Sequence, residues 1–93
     1  MEQGDIKNKI LDILEGLFAD PGIDRDILEY VDLVDDLGMD SIIFISLVIE
    51  IEVAFDIKIP DEWLLIEKLQ NYTLIFEAVE TLLTRKETEI ANG

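Results

Sequence analysis

Apolar residues spaced three and four positions apart mark the first helix of the chain. They recur from Asp5 to Ala19, the spacing of an amphipathic helix with one buried face. Asp20-Pro21-Gly22 follows and ends the pattern, because proline cannot continue the helical hydrogen-bond ladder. The residues on the predicted buried face are Ile6, Ile10, Ile13, Leu14, Leu17 and Phe18.

Acidic and apolar side chains alternate irregularly between Asp20 and Asp40. Eight acidic residues fall in this stretch, opposed only by Arg25. The interleaved apolar residues predict an ordered loop pinned to a core, with room for a short helical turn, and not a free linker. Long ordered loops are where functional residues concentrate.

A second helix is predicted to run to about Phe55, with Asp40 or Ser41 as its N-cap. At 100° per residue it carries two apolar stripes. The first is a core stripe of Phe44, Leu47, Val48, Ile51 and Phe55. The second, Ile42, Ile45, Ile49 and Val53, either packs under the long loop or the third helix, or binds a partner.

The rest of the chain predicts two more helical pieces. Pro60 and Asp61 open a short one, "DEWLLIEKL", and "TLIFEAVETLLT" follows Asn71 as a third full-length helix. Its inward candidates include Leu74, Val79, Leu82 and Leu83. We therefore predict an all-α four-helix bundle, with a long loop between helices one and two, as one domain over 1–93, with its core over 5–84 and a frayed polar tail over 85–93.

Charge limits the partners of such a bundle. The chain has 22 acidic and 7 basic residues, a formal net charge of −15, yet 49% of its residues are hydrophobic. This predicts a compact acidic globule that repels nucleic acids and favours basic partners, and its like charge favours a monomer. Neither a signal peptide nor a membrane-spanning run is recognisable, so we expect a cytoplasmic protein.

The chain lacks the residues that most catalytic sites need. It has no histidine and no cysteine, so Ser41 has no imidazole base, and the nearest lysine in sequence is Lys58. The acidic stretches "DPGIDRDILEYV" and "DLVDDLGMDSII" fail the calcium-loop spacing, so no metal site is predicted. Ser41 is then either an N-cap or a residue that another enzyme modifies. A phosphate ester formed on its hydroxyl would lie near the positive end of the helix dipole.

The stretch "DDLGMDSI", residues 35–42, resembles the attachment motif of acyl carrier proteins: an acidic pair, Leu-Gly, any residue, Asp-Ser, then Leu or Ile. Downstream, "EVAFDIKIPDE", residues 52–62, resembles the family's junction between its second and third helices. With the four helices, the resemblance covers about residues 5–84. Both motifs at the right separation make the signal specific.

The resemblance implies a carrier and not an enzyme. A phosphopantetheinyl transferase would move 4′-phosphopantetheine from coenzyme A onto Ser41, and the thiol of that arm would carry acyl groups as thioesters. Asp40 matches the residue that helps engage the transferase, and Gly38 allows the turn into the helix. The implied partners are this transferase, an acyl-loading ligase or acyltransferase, and synthases or condensing enzymes with basic docking surfaces.

One departure from the family pattern bears on the pathway. Fatty acid carriers typically have acidic residues at the second and fifth positions after the serine, where this chain has Ile43 and Ser46. We therefore expect a partner surface with an apolar centre and an acidic rim, and a specialised pathway such as polyketide or hybrid peptide assembly. The residues of this surface are Ile42, Ile45 and Ile49 at the centre and Glu50, Glu52 and Asp56 at the rim.

The alternatives are a general fatty acid carrier, an aminoacyl or D-alanyl carrier, and an unmodified acidic interaction module. Trp63 and Leu64, on the short third helix, either line the space that shelters an acyl chain or belong to the core.

Overall fold

The fold is built from helices, as predicted. The computed structural model describes residues 3–18 and 24–92, with side chains described over 4–18 and 24–87. The α-helices are α1 (Gln3–Leu17), α2 (Arg25–Leu28), α3 (Ser41–Phe55) and α4 (Tyr72–Asn92), with 3₁₀ turns at Asp61–Trp63 and Ile66–Lys68. Within the described part of the chain the only β-type pairing is one antiparallel bridge between Asp32 and Asn71. The all-α prediction is therefore confirmed.

The core lies where α1, α3 and α4 meet. Each long helix contributes one buried face, and the loop and the 61–70 segment close the ends of the bundle. The fully buried side chains are all aliphatic, which is the composition that burial favours. They are Ile10, Leu11, Leu14, Leu28, Leu33, Leu47, Ile51, Leu69, Ile75 and Val79.

Helix α1 follows its predicted face closely. Ile6, Ile10, Leu14 and Phe18 are buried, whereas Ile13 and Leu17 are half-buried. Leu11, which the spacing does not single out, is buried as well. The predicted stop at Asp20-Pro21-Gly22 lies outside the described residues.

The loop before α3 is ordered over residues 24–40 and contains the short helix α2. Arg25 fastens α2 to α1, because its guanidinium lies 2.8 Å from Asp12 and 3.1 Å from Glu15. Lys7 of α1 pairs with Glu29 at 2.7 Å, and this hydrogen bond raises the pKa of the lysine. The loop is thus pinned to the bundle, as its mixed composition indicates.

The predicted short third helix is not an α-helix. Residues 61–70, which we call the 61–70 segment, form two single 3₁₀ turns separated by Leu64 and Leu65. Leu65 is extended, with φ −123° and ψ 133°, so no α-helical ladder crosses it. A piece this short gains little from helix propagation, and 3₁₀ turns are the usual solution in short connections.

Helix α4 is longer than predicted. Its backbone is helical to Asn92, past the expected end at Thr84, so residues 85–92 are not a separate non-helical tail. Val79 and Leu82 are buried as expected, Leu74 and Leu83 are half-buried, and Ile75 is the fully buried residue that the prediction missed. Ile75, Val79 and Leu82 follow the four-three spacing of a helix face.

Candidate functional site

Ser41 occupies the first position of α3. Its side chain is exposed, and it lies at the end of the helix where backbone N–H groups point outward. The 15 residues of α3 align their peptide dipoles so that this end is electropositive. An exposed hydroxyl is therefore held beside a partial positive charge.

Asp40, and not Ser41, is the N-cap of α3. The Asp40 carboxylate accepts a hydrogen bond of 2.9 Å from the backbone N–H of Ile43. Asp40 has the extended backbone of a cap residue, and its carbonyl accepts the bond from Phe44 N–H at 2.9 Å. Of the two cap candidates the structure selects the aspartate, which leaves the serine hydroxyl without a capping role.

The turn before the helix depends on Gly38. Its φ is +71°, a left-handed conformation that glycine adopts without the steric penalty of a side chain. Met39 follows it, is buried, and donates its N–H to Leu33 O at 2.8 Å. Gly38 therefore turns the chain and Met39 anchors it, so that Asp40 and Ser41 emerge at the surface.

An apolar groove of about 660 Å³ begins at Ser41. One wall is α3, and the other is the 61–70 segment. Apart from Ser41, Glu67 is the only polar residue among those that line the groove. The lining residues are Ser41, Phe44, Ile45, Val48, Ile49, Leu64, Leu65, Ile66 and Glu67.

The second stripe of α3 is exposed. The exposed fractions are 76% for Ile42, 58% for Ile45, 53% for Ile49 and 78% for Val53. The first stripe, by contrast, is buried along its whole length. Ile45 and Ile49 line the groove opposite the 61–70 segment. The second stripe is therefore not part of the core, although two of its residues lie next to that segment. We call Ile42, Ile45, Ile49 and Val53 the α3 apolar face.

The three predicted rim acids differ in how they are held. Glu50 is exposed. Glu52 accepts a hydrogen bond of 2.8 Å from Ile59 N–H, which ties the end of α3 to the chain after it. Asp56 pairs with Lys86 at 2.7 Å, and this bond lowers the pKa of the Asp56 carboxyl. Two of the three carboxylates therefore already have partners within the chain.

Trp63 and Leu64 lie on different sides of the 61–70 segment. Leu64 lines the groove. Trp63 lines a separate cavity together with residues of α4, including Leu74 and Ala78, and the guanidinium of Arg85 lies 5.3 Å from the centre of its ring. Leu64 thus lines the groove, whereas Trp63 packs toward α4.

Sequence reasoning missed Leu65 and Ile66 as groove residues. The available signal is the run "WLLI", residues 63–66, which is more apolar than a single buried face requires. Interpreting the run as one helix places these side chains on different faces, which hides the groove wall that they form.

The chain has no histidine, and Lys58, the lysine nearest to Ser41 in sequence, is remote from it. Lys58 follows the far end of α3, about 20 Å along a helix that rises 1.5 Å per residue. It lines a different cavity, with Asp56, Leu82 and Lys86. No group of three or more His, Cys, Asp or Glu side chains in the described residues is arranged to hold a metal ion. Over the same residues, no helix is both long and apolar enough to cross a membrane.

Comparison with known proteins gives one consistent match. The family model described as "Phosphopantetheine attachment site" matches residues 8–72, which include Ser41 and both groove walls. The chain matches no solved structure with significant similarity.

Curated relatives match the chain over most of their length. An acyl carrier protein of Lactobacillus johnsonii is 41% identical over 81 residues, which cover 86% of this chain and 91% of the relative. That of Syntrophobacter fumaroxidans is 40% identical over 63 residues, 67% of this chain and 74% of the relative. That of Chlorobium phaeovibrioides is 38% identical over 63 residues, 67% of this chain and 77% of the relative.

Proposed function

Because the chain belongs to the acyl carrier protein family, whose members are carriers and not enzymes, we propose that Ser41 is the residue that bears its phosphopantetheine. The observation that carries this proposal is that Ser41 is exposed at the start of α3 while Asp40, and not Ser41, caps the helix. A serine whose only role was to cap the helix would occupy the preceding position.

The surroundings of Ser41 fit this prosthetic group. A phosphodiester on the hydroxyl would lie beside the electropositive end of α3. The arm is free to lie along the groove or to extend away from it, since Ser41 is exposed and is one of the residues that line the groove. Bound there, the arm supplies a thiol, which a chain without cysteine lacks.

The attachment reaction requires a separate enzyme. The Ser41 oxygen forms a bond to the phosphorus that carries pantetheine in coenzyme A. The pyrophosphate bond breaks, and adenosine 3′,5′-bisphosphate leaves. The hydroxyl proton passes to a base of the transferase, because the chain has no histidine to accept it.

We propose further that the carrier serves a dedicated pathway and not general fatty acid synthesis. The support is the α3 apolar face, which stands exposed beside the attachment serine. Its proposed partner is a synthase or condensing enzyme with an apolar patch rimmed by Lys and Arg, since the carrier has a net charge of −15. Glu50 and Asp56 are the rim acids that are exposed to such a partner, and Asp56 also pairs with Lys86.

Attachment is tested by intact mass after incubation with coenzyme A, magnesium and a promiscuous phosphopantetheinyl transferase. We expect the wild type to gain one phosphopantetheinyl group and Ser41→Ala to gain none. Ser46→Ala is the matched control, because Ser46 is the other serine of the chain and lies on the same helix, half-buried. Unmodified wild type, with a transferase proven active on another carrier, would favour the interaction module.

The partner surface is tested with Ile45→Glu and Ile49→Glu in the modified carrier. We expect turnover by the cognate condensing enzyme to fall about tenfold or more, because a charge replaces an apolar contact. The same variants should unfold at nearly the wild-type denaturant concentration. Normal turnover with both glutamates present would remove the α3 apolar face from the docking surface.

A further inference from the structure

We infer that Asp32 and Gln70 form a clamp that positions the 61–70 segment against α3 and thereby sets the width of the groove beside Ser41. Both are positioning residues, and neither lines the groove. The clamp itself is defined by hydrogen bonds within the chain. That the width of the groove matters for an acyl cargo rests on the proposed function.

Asp32 organises the turn that leads to the serine. Its Oδ1 accepts hydrogen bonds of 2.8 Å from the N–H groups of Val34 and Asp35. Its own N–H donates to the Asp36 carboxylate at 2.8 Å. The next residue, Leu33, accepts from Met39 N–H at 2.8 Å, which joins this turn directly to the approach to Ser41.

The same turn holds the end of the 61–70 segment. Gln70 Nε2 donates to Asp32 Oδ2 at 2.8 Å, and Leu33 N–H donates to Gln70 O at 2.7 Å. The antiparallel bridge between Asp32 and Asn71 continues this pairing. Asn71 then accepts from Leu74 N–H at 2.9 Å in the first turn of α4. Three parts of the molecule therefore meet at Asp32.

The groove wall depends on such an anchor because it has little structure of its own. The two 3₁₀ turns are separated by Leu64 and Leu65, so no continuous helical ladder fixes their spacing. Leu69 is buried and holds the segment to the core. The hydrogen bonds of Gln70 to Asp32 and Leu33 also fix the orientation of the groove wall relative to the turn that leads to Ser41. Segments with few fixed backbone bonds open most readily when such an anchor is lost.

Exchanging the donor and the acceptor of the clamp bond provides the test, using the full chain without its arm. Gln70→Glu is nearly isosteric and places a second carboxylate against Asp32. Combining Gln70→Glu with Asp32→Asn restores the hydrogen bond in the opposite direction, because the new amide N–H at position 32 donates to the new carboxylate at position 70. The amide oxygen at position 32 still accepts from the N–H groups of Val34 and Asp35. Thr73→Glu is the control, since it adds the same charge at a nearby exposed position.

Two readouts separate positioning from general stability. The first is amide exchange at Lys68 and Leu69, which donate to Leu65 O and Ile66 O in the groove wall, compared with Val79 in the core of α4. The second is the dissociation constant for Nile red, an uncharged apolar dye, as a probe of the groove. We expect Gln70→Glu to speed exchange at the wall about tenfold relative to Val79 and to weaken dye binding about fivefold.

The double variant should recover most of both losses, and Thr73→Glu should resemble the wild type. Equal acceleration at Val79, failure of the double variant to recover, or a wild type that binds no dye would each overturn the clamp. Intact mass of the same variants after transferase treatment reports on Ser41 separately. A normal mass gain with unchanged exchange in Gln70→Glu would reject the clamp alone, and the reverse pattern would reject the attachment site alone.

Discussion

At the residue scale, Asp40 and Ser41 have different roles at the start of α3. Asp40 caps the helix, and the exposed Ser41 hydroxyl is left free for modification. We expect Asp40→Ala to lower the free energy of unfolding by about 1 kcal/mol, because an orphan N–H loses its acceptor. Ser41→Ala should change it by less than about 0.5 kcal/mol. Urea unfolding followed by circular dichroism measures both. The opposite order would make Ser41 the cap.

Gly38 and Gly16 give a second prediction at this scale, because a methyl group added at either glycine would meet open space, whereas their backbones differ. Gly38→Ala should cost about 1 kcal/mol, since its φ of +71° strains any side chain. Gly16→Ala lies in α1 and should stabilise by about 0.5–1 kcal/mol. Urea midpoints that move in the same direction for both variants would contradict the assignment of strain to Gly38.

At the element scale, α3 has one face in the core and one in solvent, and a matched pair of isoleucines distinguishes them. Ile51→Ala removes a side chain that is 1% exposed and should cost about 2–5 kcal/mol. Ile49→Ala, at a position 53% exposed, should cost less than about 1 kcal/mol. Denaturant midpoints give both values. Similar losses would mean that the α3 apolar face is covered within the chain.

The bounds of α3 could be predicted because Asp40 signals a cap and the core stripe runs unbroken to Phe55. Gly38 could be placed at a turn from its position just before that cap. The 61–70 segment could not be predicted in the same way, because "WLLI" is apolar at four successive positions and carries no helical period. The bond between Asp32 and Gln70 joins residues 38 positions apart, which local patterns do not encode.

The end of α4 differs from the prediction for another reason. Most residues after Thr84 are polar, and polarity alone does not distinguish a frayed tail from a helix that continues. They contain neither proline nor glycine before the last residue, and Lys, Glu and Arg are good helix formers, so the backbone stays helical to Asn92.

At the scale of the whole molecule, several of the few cations join separate elements. Arg25 and Lys7 tie the loop to α1, while Lys86 ties α4 to the end of α3. Lys9 of α1 reaches Ala54 O at 3.4 Å and lies over the ring of Phe55. These contacts place positive charge between acidic elements that would otherwise repel one another.

The remaining repulsion predicts an unusual salt response. At a net charge of −15, raising sodium chloride from low to about 0.5 M should raise the melting temperature by roughly 5 °C, because screening weakens like-charge repulsion. Thermal unfolding by circular dichroism measures this. The triple variant Asp26→Asn, Glu62→Gln, Glu77→Gln neutralises exposed carboxylates and should gain less from salt. A melting temperature that is flat or falls with salt would contradict this account.

The 61–70 segment faces the groove on one side and α4 on the other, and Trp63 makes its position measurable by fluorescence. It is the only tryptophan of the chain, and its ring is held against α4 with Arg85 over it, while Leu64 and Ile66 of the same segment face the groove. A cargo that displaces the groove wall also displaces the indole from its cation. Emission from the unlabelled protein should therefore change between empty and loaded forms, which makes loading measurable in real time without a dye.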